Sequence, residues 1–109
     1  MKRFNIERAP LVNLYVATDK HKRLRLSADL IDLYRLDEGN RVELGFDISQ
    51  RAIALQLAAN SADPTAANID KRGYISASRF FARARMEPAS QRYTFAAEQD
   101  GWLVFVAEE

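Results

Sequence analysis

The sequence contains no cysteine and a single histidine, His21, among its 109 residues. The lack of cysteine excludes disulfide bonds, cysteine-ligated metals and thiol chemistry. One histidine cannot form a histidine cluster, and no carboxylate spacing is typical of a metal site. A glycine-rich phosphate loop is missing as well. We therefore expect a protein that is not an enzyme and that requires no cofactor and no metal.

Long apolar runs are also missing. No stretch approaches the roughly 20 apolar residues that span a bilayer. The first residues are charged and lack the apolar core of a signal peptide. These absences predict a soluble cytoplasmic protein that does not contact a membrane. The length and the 48% hydrophobic content favour a single domain, residues 1–109, with a modest core.

The net charge is close to zero, but basic residues are concentrated in two stretches. The net charge is +1, from 16 basic and 15 acidic residues. Two stretches, 20–25 and 71–85, contain basic residues and no acid. Their main cations are Lys20, Lys22, Arg23 and Arg25 in the first, and Lys71, Arg72, Arg79 and Arg83 in the second. Such local separation of charge says more about binding partners than the total does.

The first half of the sequence predicts strands around a short helix. Apolar residues alternate in LVNLYVA, residues 11–17, and again at 24–26, where the other face is basic. Ser27 is a favourable N-cap for the helix ADLIDLYR. Gly39 suits the turn that follows, because glycine takes positive φ at no steric cost. The alternating strand from Arg41 to Asp47 and the stretch 53–57 then predict a hairpin.

The apolar pattern of the second half repeats that of the first at an offset of about 50 residues. Ser76 or Ser78 is expected to cap a helix that runs to about Arg83, and alternating strands follow it. The corresponding apolar positions are Leu30 and Phe80, Ile31 and Phe81, Tyr34 and Ala84, Leu36 and Met86, Ile53 and Leu103, and Leu55 and Phe105. We expect repeat unit one at about 11–57, a linker or surface loop at 58–70, and repeat unit two at about 71–107.

The segment from Tyr15 to Leu57, about 40% of the chain, resembles the AbrB/MazE/SpoVT swapped-hairpin family. The resemblance rests on KRLRLSADLIDLYRLDEGNRVEL and on AIALQL after it. The sequence departs from the family pattern at Lys22-Arg23, at Ser27 and at Gly39-Asn40, where the family has Gly-Arg, Pro and Gly-Asp. The resemblance implies an α+β, mostly β fold: a small swapped-hairpin barrel of two strand-helix-hairpin units. Family members complete it by dimerising, and a tandem copy could do so within one chain.

The resemblance also implies a DNA-binding transcriptional regulator. Its phosphate contacts would come from the basic strands, at Lys20, Lys22, Arg23, Arg25 and Arg72. Arg79 and Arg83 are four residues apart and share one face of the second helix, so they could extend this surface. Two alternatives remain open. The basic stretches could be solvated faces. Alternatively, the chain could be a non-enzymatic protein- or ligand-binding module, such as an antitoxin, an inhibitor or a ligand-sequestering protein, with residues 1–9 and the 58–70 loop available for a protein partner. In either case a homodimer is an open alternative. The aromatic residues follow predicted core faces rather than a base-stacking pattern: Phe80, Phe81, Tyr93, Phe95 and Trp102.

Overall fold

A computed structural model of the chain describes residues 2–37, 39–60 and 62–108. The predictions for positions 1, 38, 61 and 109 lie outside these described residues. Within them the chain forms eight strands and two helices. In chain order these are β1 (Tyr15–Thr18), β2 (Arg23–Leu26), α1 (Ala28–Tyr34), β3 (Arg41–Asp47), β4 (Ala52–Leu57), β5 (Ala67–Asn68), β6 (Tyr74–Ser76), α2 (Ser78–Arg83), β7 (Gln91–Gln99) and β8 (Trp102–Ala107).

The strands form one antiparallel sheet in the order β5-β3-β4-β8-β7-β1-β2-β6. The two end strands, β5 and β6, lie beside each other, and the Asp70 N–H just after β5 donates to the carbonyl of Tyr74 in β6 at 3.0 Å. The sheet is therefore a nearly closed barrel, which leaves little exposed strand edge. The expectation of a small, mostly β domain with two helices is confirmed.

The barrel joins the two halves of the sequence strand by strand. The hairpin β1–β2 of the first half pairs with β7 through β1 and with β6 through β2, both from the second half. In turn β5 pairs with β3, and β4 pairs with β8. The buried core accordingly draws on both halves: its fully buried large side chains are Val16, Leu24, Leu30, Leu36, Val42, Ile53, Leu55, Ile75, Phe81 and Phe105.

The two helices begin differently. The Ser27 hydroxyl oxygen accepts from the Leu30 N–H at 3.3 Å, so the predicted cap of α1 is confirmed. The prediction that Ser76 or Ser78 caps α2 is wrong. The N-cap is Ala77, without a side-chain hydrogen bond, because Ser76 ends β6 and Ser78 is already the first helical residue. Helix α2 is held instead by packing, with Phe81 buried beneath it.

Two boundaries also differ from the prediction. Strand β1 begins at Tyr15 rather than at residue 11, and Leu11 is 96% exposed. The predicted linker at 58–70 contains the short strand β5, which pairs with β3 and so belongs to the barrel. Two residues are too few for a periodic sequence pattern to reveal. The loop before it is anchored by Arg41, whose guanidinium donates to the carbonyls of Asp63 and Ala66.

The aromatic residues lie mostly where the core was predicted. Phe81 and Tyr93 are buried, and Phe80 and Phe95 pack against the core. The Phe95 ring meets that of Phe105 edge to face, with centroids 5.7 Å apart. Trp102 is half-buried, and its ring lies against the backbone of Gly45, where a Cβ would sit 3.3 Å from the indole. This close approach explains why a glycine is tolerated inside strand β3.

Candidate nucleic-acid interface

Two similar turns present basic side chains to solvent. Between β1 and β2, Asp19 Oδ1 accepts from the N–H groups of His21 and Arg23, at 2.9 and 3.1 Å. Between β5 and β6, Asp70 Oδ1 accepts from those of Arg72 and Tyr74, at 2.8 and 3.0 Å. An aspartate that bonds the backbone in this way fixes the turn. The exposed residues carried by the two turns are Lys20, His21, Lys22, Lys71 and Arg72.

Each turn aspartate is also paired with an arginine. Arg23 Nε lies 2.8 Å from Asp19 Oδ2, and an Arg72 terminal nitrogen lies 3.1 Å from Asp70 Oδ2. Burial acts to raise the pKa of Asp19, but the hydrogen bonds from Arg23 outweigh it and hold the pKa below its ordinary value. The Tyr74 N–H is the main cause of the lowered pKa of Asp70. Both carboxylates therefore stay ionised and offset part of the local positive charge.

A row of four residues crosses the outer face of the sheet from β7 to β6. Ala17 of β1 pairs with Arg92 of β7 on one side and with Arg25 of β2 on the other, and Arg25 pairs with Tyr74 of β6. Their neighbours along the strands are buried, namely Val16, Leu24, Leu26, Ile75 and Tyr93. Because side chains alternate between the two faces of a sheet, the row points outward.

Two tyrosine rings hold the arginines in place on this face. The guanidinium carbons of Arg92 and Arg25 lie 3.9 and 5.7 Å from the centroid of the Tyr15 ring. Those of Arg23 and Arg72 lie 4.6 and 4.9 Å from the centroid of the Tyr74 ring. Each contact contributes about 0.5–1 kcal/mol at an exposed site. We call this surface the arginine–tyrosine face; it consists of Tyr15, Arg23, Arg25, Arg72, Tyr74 and Arg92.

Two arginines of the face differ from the others in their electrostatic surroundings. Within the described part of the chain, Arg25 and Arg92 form no ion pair with a carboxylate, whereas Arg23 and Arg72 do. Asp32 of α1 and Asp37 after it line a depression together with Arg25, Arg35, Lys71 and Arg72. The two guanidinium groups without a carboxylate partner can attract an anion. Among the residues that the structure describes, no group of three or more histidine and acidic side chains could hold a metal ion.

The structure brings some of the predicted site residues together. Arg23, Arg25 and Arg72 lie on the arginine–tyrosine face, and Lys20 and Lys22 lie in the adjoining turn. Arg79 and Arg83 are exposed on α2, outside the strands that form the face. The sequence analysis missed Arg92, Tyr15 and Tyr74. The alternation in QRYTF places the Arg92 side chain on the sheet face away from the buried Tyr93. Only the pairing of β7 with β1 shows which residues lie beside Arg92 on that face.

Comparison with known proteins found no family model that matches the chain, and no curated protein or solved structure that matches it either. None of the described helices has the length and apolar character needed to cross a membrane.

Proposed function

We propose that the chain is a DNA-binding transcriptional regulator of the AbrB-like type, which contacts phosphates through the arginine–tyrosine face. The observation that carries this proposal is the outward-facing row from Arg92 to Tyr74, which presents two arginines without carboxylate partners in the described residues. Arginine is well suited to phosphate because its planar group donates two parallel hydrogen bonds. The lysines of the adjoining turns, Lys20, Lys22 and Lys71, would add weaker contacts.

The order of the elements supports a tandem, swapped-hairpin version of that family. Strand-strand-helix-strand-strand occurs in both halves, and each half's first strand pairs with the third strand of the other. Between β4 and β8, Ile53 pairs with Phe105, Ala54 with Val104, and Leu55 with Leu103. A twofold relation with an offset of 50 residues would exchange the outer two pairs and keep the middle one. One chain would then supply both units that family members obtain by dimerising.

The two units would not contribute equally to DNA binding. Under the duplication, the registers of these strands give an offset of 51 residues, so Arg92 and Arg25 would correspond to Arg41 and Ser76. Arg41 is occupied by the carbonyls of Asp63 and Ala66, and serine carries no charge. The phosphate contacts would thus lie on one side of the pseudo-twofold axis. A palindromic operator would require two chains, so we propose that the regulator dimerises on DNA.

The proposal is tested by fluorescence anisotropy of a labelled random duplex over a series of salt concentrations. With about four phosphate contacts, affinity should fall roughly 100-fold between 50 and 200 mM salt. Replacing Arg25 and Arg92 by glutamine should weaken binding, whereas the matched pair Arg79→Gln and Arg83→Gln on α2 should have a smaller effect. Absence of binding at 50 mM salt would overturn the proposal. Equal losses from the two pairs would place the phosphate contacts on α2 as well.

A second candidate function, a protein-binding module such as an antitoxin or inhibitor, is favoured by a different surface. Residues 2–14 form no helix or strand, and three of their large apolar side chains are strongly exposed: Phe4 by 88%, Ile6 by 86% and Leu11 by 96%. Exposed apolar side chains in such a segment are available to bind a partner. The double variant Phe4→Ser/Ile6→Ser would abolish binding of a protein partner, while Arg25→Gln would leave that binding unchanged. The DNA-binding proposal predicts the reverse for binding of a duplex.

A further inference from the structure

A small depression lies between Arg25 and Arg92, and its floor is Ala17. The strands place the Cα atoms of the two arginines about 10 Å apart, on either side of the alanine. Both guanidinium carbons lie close to the same Tyr15 ring, at 5.7 and 3.9 Å from its centroid, so they are at most about 10 Å apart. The depression is also lined by Thr18, Asp19, Tyr74, Ser90 and Gln91.

The edge of this depression is held in place by a buried hydroxyl. Thr18 Oγ1 donates to the carbonyl of Ala89 at 2.7 Å and lies 3.3 Å from that of Gln91. Thr18 is 5% exposed, and its hydrogen bond ties the segment before β7 to β1. This contact fixes the position of Arg92, the second residue of β7. Asp19, the one acid in the lining, is occupied by Arg23 and by two backbone N–H groups. The positive charge of the two arginines therefore dominates the depression.

We propose that Arg25 and Arg92 together bind one phosphodiester group, seated over Ala17, and that each chain has one such seat. A phosphate that accepts from two arginines holds their guanidinium carbons roughly 8 Å apart. This separation is below the upper bound of about 10 Å that follows from their distances to the Tyr15 ring. Ala17 leaves the space that the phosphate fills. This inference rests on the proposed function and deepens it, because it names a single phosphate as the group shared by both arginines.

The positions related by the 51-residue offset of these strands cannot form a second seat. Ser76 lacks the charge of Arg25, and the guanidinium of Arg41 already donates to two carbonyls of the preceding loop. Asn68, which pairs with Arg41 as Ala17 pairs with Arg92, carries a larger side chain at the floor. One phosphate per chain is the resulting stoichiometry.

The salt dependence of duplex binding separates one shared phosphate from two. Each phosphate neutralised contributes about 0.9 to the slope of log affinity against log salt. If both arginines contact the same phosphate, either single variant leaves the slope nearly unchanged, because the remaining arginine still neutralises that phosphate. The double variant Arg25→Gln/Arg92→Gln then lowers the slope by about one. A loss of about two would overturn the shared seat. Arg8→Gln, which removes an equal charge from the exposed segment 2–14, serves as the control and should leave the slope unchanged.

A second measurement tests the seat without DNA. The full-length protein, labelled with ¹⁵N, is titrated with dimethyl phosphate while the Nε–H signals of its arginines are recorded by NMR. The Arg25 and Arg92 signals should shift together with one dissociation constant, and Ala17→Leu, which fills the floor, should abolish both shifts. Independent shifts, or shifts unaffected by Ala17→Leu, would overturn the seat. If Ala17→Leu fails to fold, Arg92→Gln takes its place and should abolish the Arg25 shift.

The two proposals fail in different ways. In one outcome, Arg25→Gln/Arg92→Gln leaves duplex binding unchanged and Lys20→Gln with Lys71→Gln weakens it. That result would support DNA binding and overturn the seat. Coupled shifts with dimethyl phosphate, without any duplex binding at low salt, would support the seat and overturn DNA binding.

Discussion

The side chain of Ile31 in α1 covers the backbone of Gly73 at the start of β6. A Cβ built on Gly73 would lie 2.6 Å from Ile31 Cδ1, and Gly73 has φ +85°. The position therefore requires glycine twice, for its backbone conformation and for its lack of a side chain. This contact joins the helix of the first half to the basic turn of the second.

Gly73→Ala should destabilise the fold by roughly 1–3 kcal/mol, through strain at positive φ and the displacement of Ile31. Chemical denaturation measures the change. Gly39→Ala is the matched control, because Gly39 has φ +94° but no atom within 4 Å of its would-be Cβ. It should show the conformational cost alone. Equal losses for both variants would mean that the packing of Ile31 contributes nothing.

Ser27→Ala should also destabilise the protein. The Ser27 hydroxyl accepts from the N–H of Leu30 and of Tyr15, and donates to the carbonyl of Asn13 at 2.8 Å. Ser27 is buried, so its loss removes a helix cap and leaves partners unsatisfied, at about 2 kcal/mol. Ser78→Ala is the control, since Ser78 is exposed and caps nothing. Thermal unfolding should show a loss for Ser27→Ala and almost none for Ser78→Ala; similar losses would contradict the capping role.

The turn aspartates predict how stability depends on acidity. The pKa of Asp70 is lowered from the ordinary value of 3.8, chiefly because its carboxylate accepts from the Tyr74 N–H. The unfolded chain therefore takes up this proton at a higher pH than the folded chain. The stabilisation is complete above the unfolded pKa and is lost as the pH falls through the lower, folded value.

Asp70→Asn should consequently flatten the decline of Tm between about pH 5 and pH 3. The amide oxygen can still accept from the backbone, so the turn should survive at neutral pH. Differential scanning calorimetry at several pH values measures the slope. Asp32→Asn is the control, because Asp32 is exposed and accepts no hydrogen bond within the described residues. An unchanged slope for Asp70→Asn would show that this carboxylate does not couple folding to protons.

Most of the barrel could be predicted from the sequence because its strands alternate over four or more residues. The alternation at 41–47 gives β3, and Ser27 marks the start of α1 for a direct physical reason. Strand β5 could not be predicted, because two residues carry no period. The cap of α2 was misplaced because both candidate serines flank Ala77, and only the backbone shows which residue begins the helix.

The candidate interface could be predicted only in part, because it is built from strands that are distant in sequence. Arg23 and Arg25 lie on one strand, and their shared outward face follows from alternation alone. Arg92 joins them only because β7 pairs with β1, in a register that places it opposite Ala17. The sequence analysis treats Arg23 and Arg25 as equal phosphate contacts. The ion pair that distinguishes them, between Arg23 and Asp19, depends on the conformation of the turn.

That ion pair predicts different effects for the two neighbouring arginines. Arg23 is held by Asp19 and by the Tyr74 ring, so Arg23→Ala should weaken both folding and DNA binding. Arg25 forms no ion pair within the described residues, and its guanidinium lies over the Tyr15 ring at the longer distance of 5.7 Å. Arg25→Ala should therefore lower affinity while Tm changes little. Thermal unfolding and anisotropy on the same samples measure the two effects. A larger loss of stability for Arg25→Ala than for Arg23→Ala would reverse these roles, and Arg25 would then be part of the scaffold rather than the phosphate contact.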